Sequence, residues 1–145
     1  MINYVLGFMF SEDLGHVVLI EKKRPEWQAG KLNGIGGKVE DKELPIKAME
    51  REFKEETDVC VVSDNWKRFC IMIKPDEWTV FCYCHVGKVY HCKTMTDERV
   101  FVQIVPVIST LIAEGKALSK LDWLIRLAID MLQSDVKPKD AYVLY

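Results

Sequence analysis

The chain has 145 residues, 49% hydrophobic and 29% charged, with a formal net charge of −2 at pH 7. These values suit one soluble globular domain over residues 1–145. The absence of a basic block argues against a nucleic-acid polymer as a partner. Apolar runs fall far short of the roughly 18 residues that cross a membrane, and residues 1–4 lack the charged start of a signal peptide. We therefore expect a cytoplasmic protein without a membrane partner, and the sequence leaves room for a homo-oligomer.

The first elements predicted are a β-hairpin and a glycine-rich segment. Residues 4–10 and 17–20 are apolar runs of strand length, and residues 11–15 between them have turn chemistry. A basic stretch and a loop lead to residues 33–38, which read N-G-I-G-G-K. Glycines allow backbone to approach a ligand closely and allow carbonyls to turn toward a metal ion.

A helix with an acidic face is predicted next. At about 100° per residue, Glu52, Glu55 and Glu56 fall within one stripe of this helix. Such like-charge pairs cost about a few tenths of a kcal/mol each, and a hard divalent cation would relieve this repulsion. An adjacent stripe can pack against a core through Ile46, Met49 and Phe53. The alternative is a solvated acidic surface without a ligand.

Residues 37–59 resemble the Nudix box, written G-x5-E-x7-R-E-U-x-E-E-x-G-U with U an apolar residue. The matching positions are Gly37, Glu43, Arg51, Glu52, Phe53, Glu55, Glu56 and Val59. Asp58 departs from the pattern, which has glycine there. That glycine is read as the left-handed residue that ends the helix, and aspartate adopts this conformation at a cost of about 1 kcal/mol or less. The departure should therefore affect stability more than chemistry.

The second half predicts more strands and two further helices. Strands are expected at residues 60–62, 67–73, 78–86 and 100–105, with turns at 64–65 and 74–76. Residues 106–113 predict a short helix, and the last helix should start near Ser119, where Ser-x-x-Asp122 is similar to a capping box. Helices flanking mixed strands indicate the α/β class. The resemblance implies a Nudix-type α/β/α sandwich with a mixed β-sheet.

The cysteines are odd in number and lie mostly in apolar, strand-like segments: Cys60, Cys70, Cys82, Cys84 and Cys92. This pattern indicates reduced, buried thiols rather than a disulfide framework. The neighbouring histidines raise a zinc site as the alternative, although no C-x-x-C spacing occurs.

The resemblance implies a metal-dependent hydrolase of phosphoanhydrides. Glu52, Glu55 and Glu56, with a backbone carbonyl near Gly37, would hold Mg²⁺ or Mn²⁺. Arg51 would orient one of these glutamates through a salt bridge. Glu43, near the start of the helix, would support the loop.

The general base is drawn either from the box or from a later loop. Glu98, between Asp97 and Arg99, is the later candidate and a further candidate metal ligand. A solvated turn is the alternative interpretation of Glu98.

Substrate contacts are predicted mainly around the glycine-rich segment, which is similar to the corresponding stretch of MutT-type nucleoside triphosphatases that act on oxidised purines. The candidate substrate-binding residues are Lys22, Lys23, Asn33, Gly36, Lys38 and Asp122. Asn33 offers a donor and an acceptor to a purine edge, or it is only a turn residue before Gly34. Lys22 and Lys23 either contact a phosphate or form a solvated strand end.

Three functions follow. The leading hypothesis is a pyrophosphohydrolase that converts a nucleoside triphosphate to a monophosphate and pyrophosphate. The second is a pyrophosphatase for ADP-ribose, NADH or another nucleoside diphosphate derivative. The third is a catalytically silent nucleotide-binding module, which the intact set of box glutamates argues against.

Overall fold

The computed structural model describes residues 1–134 and 140–145. Over these residues the chain forms eight strands and three α-helices. The strands are β1 (Ile2–Phe10), β2 (His16–Glu21), β3 (Leu32–Asn33), β4 (Ile35–Lys38), β5 (Lys67–Lys74), β6 (Trp78–Val86), β7 (Val100–Ile104) and β8 (Ala141–Leu144). The helices are α1 (Pro45–Thr57), α2 (Ile108–Ala113) and α3 (Leu121–Gln133).

The strands form one mixed sheet. Its order is β3-β2-β1-β6-β5-β8, with β4 paired to β1 and β7 paired to β2. β1 runs parallel to β6 along its whole length, from Ile2 opposite Trp78 to Phe10 opposite Val86. β5 and β8 are also parallel, whereas the other pairs are antiparallel. The predicted mixed sheet is confirmed.

The sheet lies between two helical layers. Side chains alternate along the central strand β1, so each face of the sheet contributes to a separate core. Leu6, Phe8 and Phe10 of β1 join the core that packs against α2 and α3. Val5 and Met9 join a second core on the opposite face, which packs against α1. The predicted α/β/α sandwich is therefore confirmed.

Helix α1 lies directly on β1. A Cβ at Gly7 would clash with the Met49 side chain, so the missing side chain lets the helix approach the strand. Phe53 is fully buried in the same layer and makes an edge contact with Trp66, with ring centroids 5.1 Å apart. This packing fixes one side of α1 against β1, and the acidic face lies beside it, where Glu52 approaches Gly37 of β4.

Most predicted elements of the chain are present. β1 and β2 form the expected antiparallel hairpin, with Phe10 opposite Val17. The strands predicted at 67–73, 78–86 and 100–105 correspond to β5, β6 and β7, and α2 lies within the predicted short helix at 106–113. No helix of the described residues is long and apolar enough to cross a membrane.

The strand predicted at residues 60–62 is wrong. Only Val61 of this segment is buried, and a short 3-10 turn at Ser63–Asn65 follows at once. The apolar side chain of Val61 packs against the α1 core without any strand pairing. The three apolar residues predicted a strand, but only one of them is buried, and that contact does not require strand pairing.

The predicted capping box at Ser119 is also wrong. α3 begins at Leu121, and Lys120 occupies the N-cap position with helical backbone angles (φ −61°, ψ −21°) and no side-chain cap. The Asp122 N–H donates to the backbone carbonyl of Ser119 at 3.2 Å. A backbone turn therefore satisfies the N–H group that the Ser119 hydroxyl was expected to bind.

The cysteines are free thiols, as predicted. Cys70, Cys82 and Cys84 are buried in the core next to α3, but Cys60 is exposed, so the expectation of burial is wrong at that position. Cys82 and Cys84 share one face of β6 and both lie in the apolar core. Within residues 1–134 and 140–145, no group of three His, Cys, Asp or Glu side chains is arranged to hold a metal, so the zinc alternative has no support.

Candidate active site

The acidic face belongs to α1, whose ends are defined by the local sequence. Pro45 occupies the first turn, where its missing N–H costs nothing. Asp58 ends the helix in the left-handed conformation (φ 63°), and its N–H donates to the Lys54 carbonyl at 3.0 Å. The predicted left-handed conformation of Asp58 is confirmed. Lys54 also forms an ion pair with the Asp58 carboxylate at 2.8 Å.

Arg51 is the centre of the hydrogen-bond network on this face. Its Nε and Nη2 each donate to the Glu43 carboxylate at 2.9 Å. Its Nη1 donates to Glu52 at 2.9 Å and to Glu55 at 3.3 Å. Nη2 also donates to the Lys38 carbonyl at 3.1 Å. The predicted salt bridge from Arg51 to the box glutamates is therefore present, and it extends to the loop before α1.

Glu43 links Arg51 to that loop. Its carboxylate accepts the Glu40 N–H at 3.0 Å in addition to both guanidinium bonds. The Arg51 guanidinium lowers the pKa of Glu43, and the Glu43 carboxylate raises the pKa of Arg51. Both groups therefore stay charged at neutral pH, and the pair holds the loop against the helix.

The three glutamates of the face differ in exposure and basicity. The Glu52 side chain is 13% exposed and the Glu55 side chain 55% exposed. Burial raises the pKa of Glu52, although Arg51 opposes the rise. Burial also raises the pKa of Glu56, and the negative charge of Glu98 adds to it against a hydrogen bond from Thr96. Two of the three carboxylates therefore bind protons more readily than usual.

Gly37 allows β4 to touch the acidic face. A Cβ on Gly37 would clash with the Glu52 carboxylate. The absent side chain brings the backbone of the glycine-rich segment and this carboxylate together, as expected for a shared ligand site.

Glu98 joins the loop before β7 to the same site. It is 4% exposed, and it accepts hydrogen bonds from the Lys22 ammonium at 3.0 Å and from the Lys23 N–H at 2.6 Å. Burial alone would raise the pKa of Glu98, but these donors outweigh burial and lower it. The Thr96 hydroxyl accepts the Glu98 N–H at 3.1 Å and donates to Glu56 at 3.2 Å. The solvated-turn interpretation of Glu98 is therefore wrong.

The donor set suits a hard divalent cation, because carboxylate and backbone oxygens are the ligands that Mg²⁺ and Mn²⁺ prefer. As placed in the described part of the chain, the three carboxylates do not converge on one point. Arg51 holds Glu52 and Glu55, and Thr96 holds Glu56. The residues fit the cation chemically, and binding would exchange some of these hydrogen bonds for metal contacts.

A cavity of about 580 Å³ lies beside the glycine-rich segment. Gly36 and Gly37 line it, so it adjoins the acidic face. Its aromatic lining residues are Tyr4, Trp27, Trp78 and Tyr145, and its polar ones include Lys22, Gln28, Asn33, Ser119 and Lys120. This volume falls in the range of about 300–1,000 Å³ that is typical of small-molecule sites.

Asn33 lies in this cavity wall, but the residue is only 5% exposed and its side chain is hydrogen-bonded within the protein. Its Oδ1 accepts the Gly34 N–H at 2.8 Å, and its Nδ2 donates to Gln28 Oε1 at 3.1 Å. Asn33 keeps one amide hydrogen and part of its oxygen for a ligand.

Some predicted substrate-binding residues do not meet at the cavity. Asp122 is exposed, forms an ion pair with Arg126 at 3.3 Å and does not line the cavity. The side chains of Lys23 and Lys38 are on the surface, and the contacts of these residues with the site run through the Lys23 N–H and the Lys38 carbonyl.

Sequence reasoning missed several residues of the site, among them Thr96, Gln28 and Lys120. Thr96 binds Glu56, and Gln28 and Lys120 line the cavity. Only Thr96 carried a signal, as a hydroxyl two residues before Glu98. Gln28 and Lys120 lie on a loop and at a helix start whose proximity depends on the fold.

Comparison with known families and structures agrees with this geometry. The profile of the NUDIX domain matches residues 3–117. A search of curated protein sequences finds no significant match.

Three similar solved structures share the fold. MutT, from a study of the Aliivibrio salmonicida and Vibrio cholerae proteins, is 18% identical, with a TM-score of 0.67 over 88% of this chain and 95% of its own. The NUDIX domain of Shewanella oneidensis NrtR, complexed with ADP-ribose, is 15% identical, with a TM-score of 0.74 over 90% of this chain and 88% of its own. The Bacillus halodurans mutator MutT protein is 19% identical, with a TM-score of 0.64 over 98% of this chain and 87% of its own.

Proposed function

The chain belongs to the NUDIX family of hydrolases, and from that premise we propose that it cleaves a nucleoside triphosphate to a monophosphate and pyrophosphate with Mg²⁺ or Mn²⁺. One observation carries the proposal. The acidic face of α1 adjoins, through Gly36 and Gly37, a cavity whose aromatic walls and volume suit one nucleoside.

The cation would be held by Glu52, Glu55 and Glu56, with the Gly37 backbone and Glu98 as further candidate ligands. A bound divalent cation neutralises charge on phosphoryl oxygens and lowers the pKa of a coordinated water. Arg51 orients Glu52 through its 2.9 Å hydrogen bond, and it opposes the rise in pKa that burial gives this carboxylate.

The phosphates of the substrate would also contact a positive charge, which Lys22 supplies from the wall of the cavity. Lys22 has a side chain that is 18% exposed and is positioned by Glu98, and it lines the cavity next to the glycine-rich segment. A lysine at this position would bind the phosphate nearest the nucleoside, while the backbone of Gly36 and Gly37 approaches the chain of phosphates.

Glu56 is the better candidate for the general base. Its raised pKa makes it a stronger proton acceptor than an ordinary glutamate, and Thr96 occupies only one of its oxygens. Glu98 has a lowered pKa and accepts hydrogen bonds on both oxygens. We therefore assign Glu56 to take the proton of the attacking water, and Glu98 to position Lys22.

A dinucleotide-type substrate is the second candidate. The NrtR domain binds ADP-ribose and has the highest TM-score of the three structures described above. ADP-ribose would place its adenosine in the cavity and its second ribose beyond the acidic face.

A substrate panel tests the proposal. Nucleoside triphosphates, ADP-ribose and NADH are incubated with Mg²⁺, with Mn²⁺ or with EDTA, and the products are identified by ³¹P NMR. We expect metal-dependent formation of a monophosphate and pyrophosphate from a triphosphate. Release of inorganic phosphate alone, or turnover of only ADP-ribose or NADH, would contradict the triphosphate assignment.

A further inference from the structure

Lys120 is a cation in the cavity wall without a partner. Its side chain is partly buried at the start of α3 and lines the cavity. Within residues 1–134 and 140–145 its ammonium makes no ion pair or hydrogen bond, and the titratable group that acts on it is the Cys82 thiol. Burial lowers the pKa of Lys120. The other lysine of the cavity, Lys22, is by contrast paired with Glu98.

Gln28 presents a second unused donor to the same cavity. Because the Gly34 N–H can only donate, Asn33 must place Oδ1 toward it and Nδ2 toward Gln28. Gln28 then receives this hydrogen bond on Oε1, which turns its own amide N–H₂ away from Asn33. That N–H₂ group makes no hydrogen bond within the part of the chain that the structure describes. Since Gln28 lines the cavity, the group that it has left for a ligand there is a hydrogen-bond donor.

Two unpaired donors select an acceptor edge on the ligand. Lysine has only donors, and the fixed amide of Gln28 offers its donors to the cavity. A 6-oxo purine presents the carbonyl O6 and N7 as adjacent acceptors, and a 6-amino purine presents a donor at the same place. An amino group facing Lys120 and Gln28 would leave buried donors unpaired on both sides.

We propose that Lys120 and Gln28 are specificity-determining residues that select a 6-oxo purine over a 6-amino purine. The inference rests on the proposed function, since it places the base of the nucleotide in this cavity. Asn33 is then a positioning residue that orients Gln28, rather than the residue that reads the base.

The surroundings of Lys120 favour a neutral carbonyl over a second phosphate. The side chains of Met72, Val80 and Leu118 line the same cavity, and they offer neither charge nor a hydrogen-bond donor to the oxygens of a phosphate. A phosphate carries more negative charge than one ammonium neutralises, so its desolvation there would be poorly compensated. A carbonyl accepts from the ammonium without bringing an uncompensated charge.

The test compares inosine triphosphate with adenosine triphosphate, which differ in their purine base by the 6-oxo and 6-amino groups. We expect the wild type to have at least about a tenfold higher kcat/KM for the inosine nucleotide, because a site built from hydrogen-bond donors rejects an analogue that cannot accept. Lys120→Met should lower the inosine value about tenfold and change the adenosine value less than about twofold. Lys120→Arg keeps the donors and should keep the preference.

Gln28→Glu is the isosteric partner variant. It keeps an oxygen for Asn33 and replaces the donor to the cavity by an acceptor, so the ratio of inosine to adenosine kcat/KM should fall even if both values drop. Lys116→Met is the matched control, since Lys116 is an exposed lysine paired with Glu114 on the loop before α3. It should leave the ratio unchanged.

Binding of inosine and adenosine monophosphates, measured by calorimetry on the same variants, separates this inference from the proposed function. If no triphosphate is hydrolysed but the inosine nucleotide binds more tightly in a Lys120-dependent way, the proposed function fails and the inference stands. Equal binding of both monophosphates by the wild type, or an equal loss of both in Lys120→Met, would overturn it. Selective loss of ADP-ribose binding in Lys120→Met would also overturn it, in favour of a second phosphate.

Discussion

The acidic face of α1 and the cavity beside it differ in how their polar side chains are hydrogen-bonded. On the acidic face, side chains are hydrogen-bonded to one another through Arg51, Thr96 and Lys22. In the cavity, Lys120 and the amide N–H₂ of Gln28 have no partner within residues 1–134 and 140–145. The first region pairs its charges with one another, so a ligand must exchange some of these hydrogen bonds, and the second leaves its donors for the ligand to satisfy.

This difference separates two tasks. Chemistry on a phosphoanhydride needs carboxylates gathered on one rigid element, and a network of charge-assisted hydrogen bonds keeps them together on α1 until a cation binds. Discrimination between bases needs groups whose hydrogen bonds are completed only by the right partner. Variants of the acidic face should therefore lower turnover of every substrate, whereas variants of the cavity should change the ranking of substrates.

The largest effect should follow from loss of the box carboxylates. Glu55→Gln and Glu56→Gln keep shape but remove a charged ligand, and Glu56→Gln also removes the proposed base, so turnover should fall at least about a hundredfold. Glu50→Gln is the control on the same helix, because Glu50 points to the other side and binds Ser63. Steady-state kinetics with a triphosphate measure the effect. Near wild-type turnover in both box variants would contradict the metal assignment.

Asn33→Ala should cost roughly 1–3 kcal/mol in kcat/KM for a purine triphosphate, since it frees the Gly34 N–H and releases Gln28. Inorganic tripolyphosphate, which has no base, should be nearly unaffected. Asn33→Asp keeps the acceptor for Gly34 and loses the donor to Gln28, so it should show an intermediate loss. An equal loss for both substrates would mean that Asn33 only shapes the loop.

Metal should stabilise the folded protein by an amount that depends on pH. A cation at about a hundredfold excess over its Kd adds about 2.7 kcal/mol, and each kcal/mol raises Tm by about 2–4 °C. Protons compete for Glu52 and Glu56, whose pKa values are raised, so the increase in Tm should be larger at about pH 7 than at about pH 5. Thermal unfolding with and without Mg²⁺ measures it. No increase at either pH would count against the site.

The raised pKa of Glu56 also determines how the stability of the metal-free protein changes with pH. A carboxyl with a raised folded-state pKa contributes stability below its unfolded value, here 4.5, and loses that contribution as pH rises through the folded pKa. Glu56→Gln cannot ionise, so its Tm relative to wild type should rise between about pH 4.5 and about pH 7. A difference in Tm between Glu56→Gln and wild type that stays constant with pH would show that burial of the Glu56 carboxylate has no energetic cost.

The smallest effect should come from Asp58→Gly. Glycine relieves the cost of the left-handed conformation at φ 63°, which stabilises the fold by up to about 1 kcal/mol, less what the exposed ion pair with Lys54 contributes. Lys54→Met in both backgrounds isolates that ion pair. Urea unfolding measures the stability, and turnover should hardly change. A marked loss of turnover would mean that Asp58 belongs to the active site.

The sequence predicted the acidic face much better than the cavity. Spacing along one helix places Glu52, Glu55 and Glu56 together, and Arg51 lies beside them, so local geometry suffices. Gln28 and Lys120 come from distant segments that meet because Leu32 pairs with the loop before α3. No local pattern encodes that meeting, and the same limit explains why the short strands β3, β4 and β8 were not predicted.

The most direct measurement is the binding of Mn²⁺ to the protein itself, followed by the loss of the free Mn²⁺ signal in electron paramagnetic resonance. We expect saturable binding by the wild type and by Glu50→Gln, and at least about tenfold weaker binding by Glu52→Gln, Glu55→Gln and Glu56→Gln. Bound Mn²⁺ with the same affinity in all four variants would place the metal away from α1 and contradict the assignment of the box glutamates as its ligands.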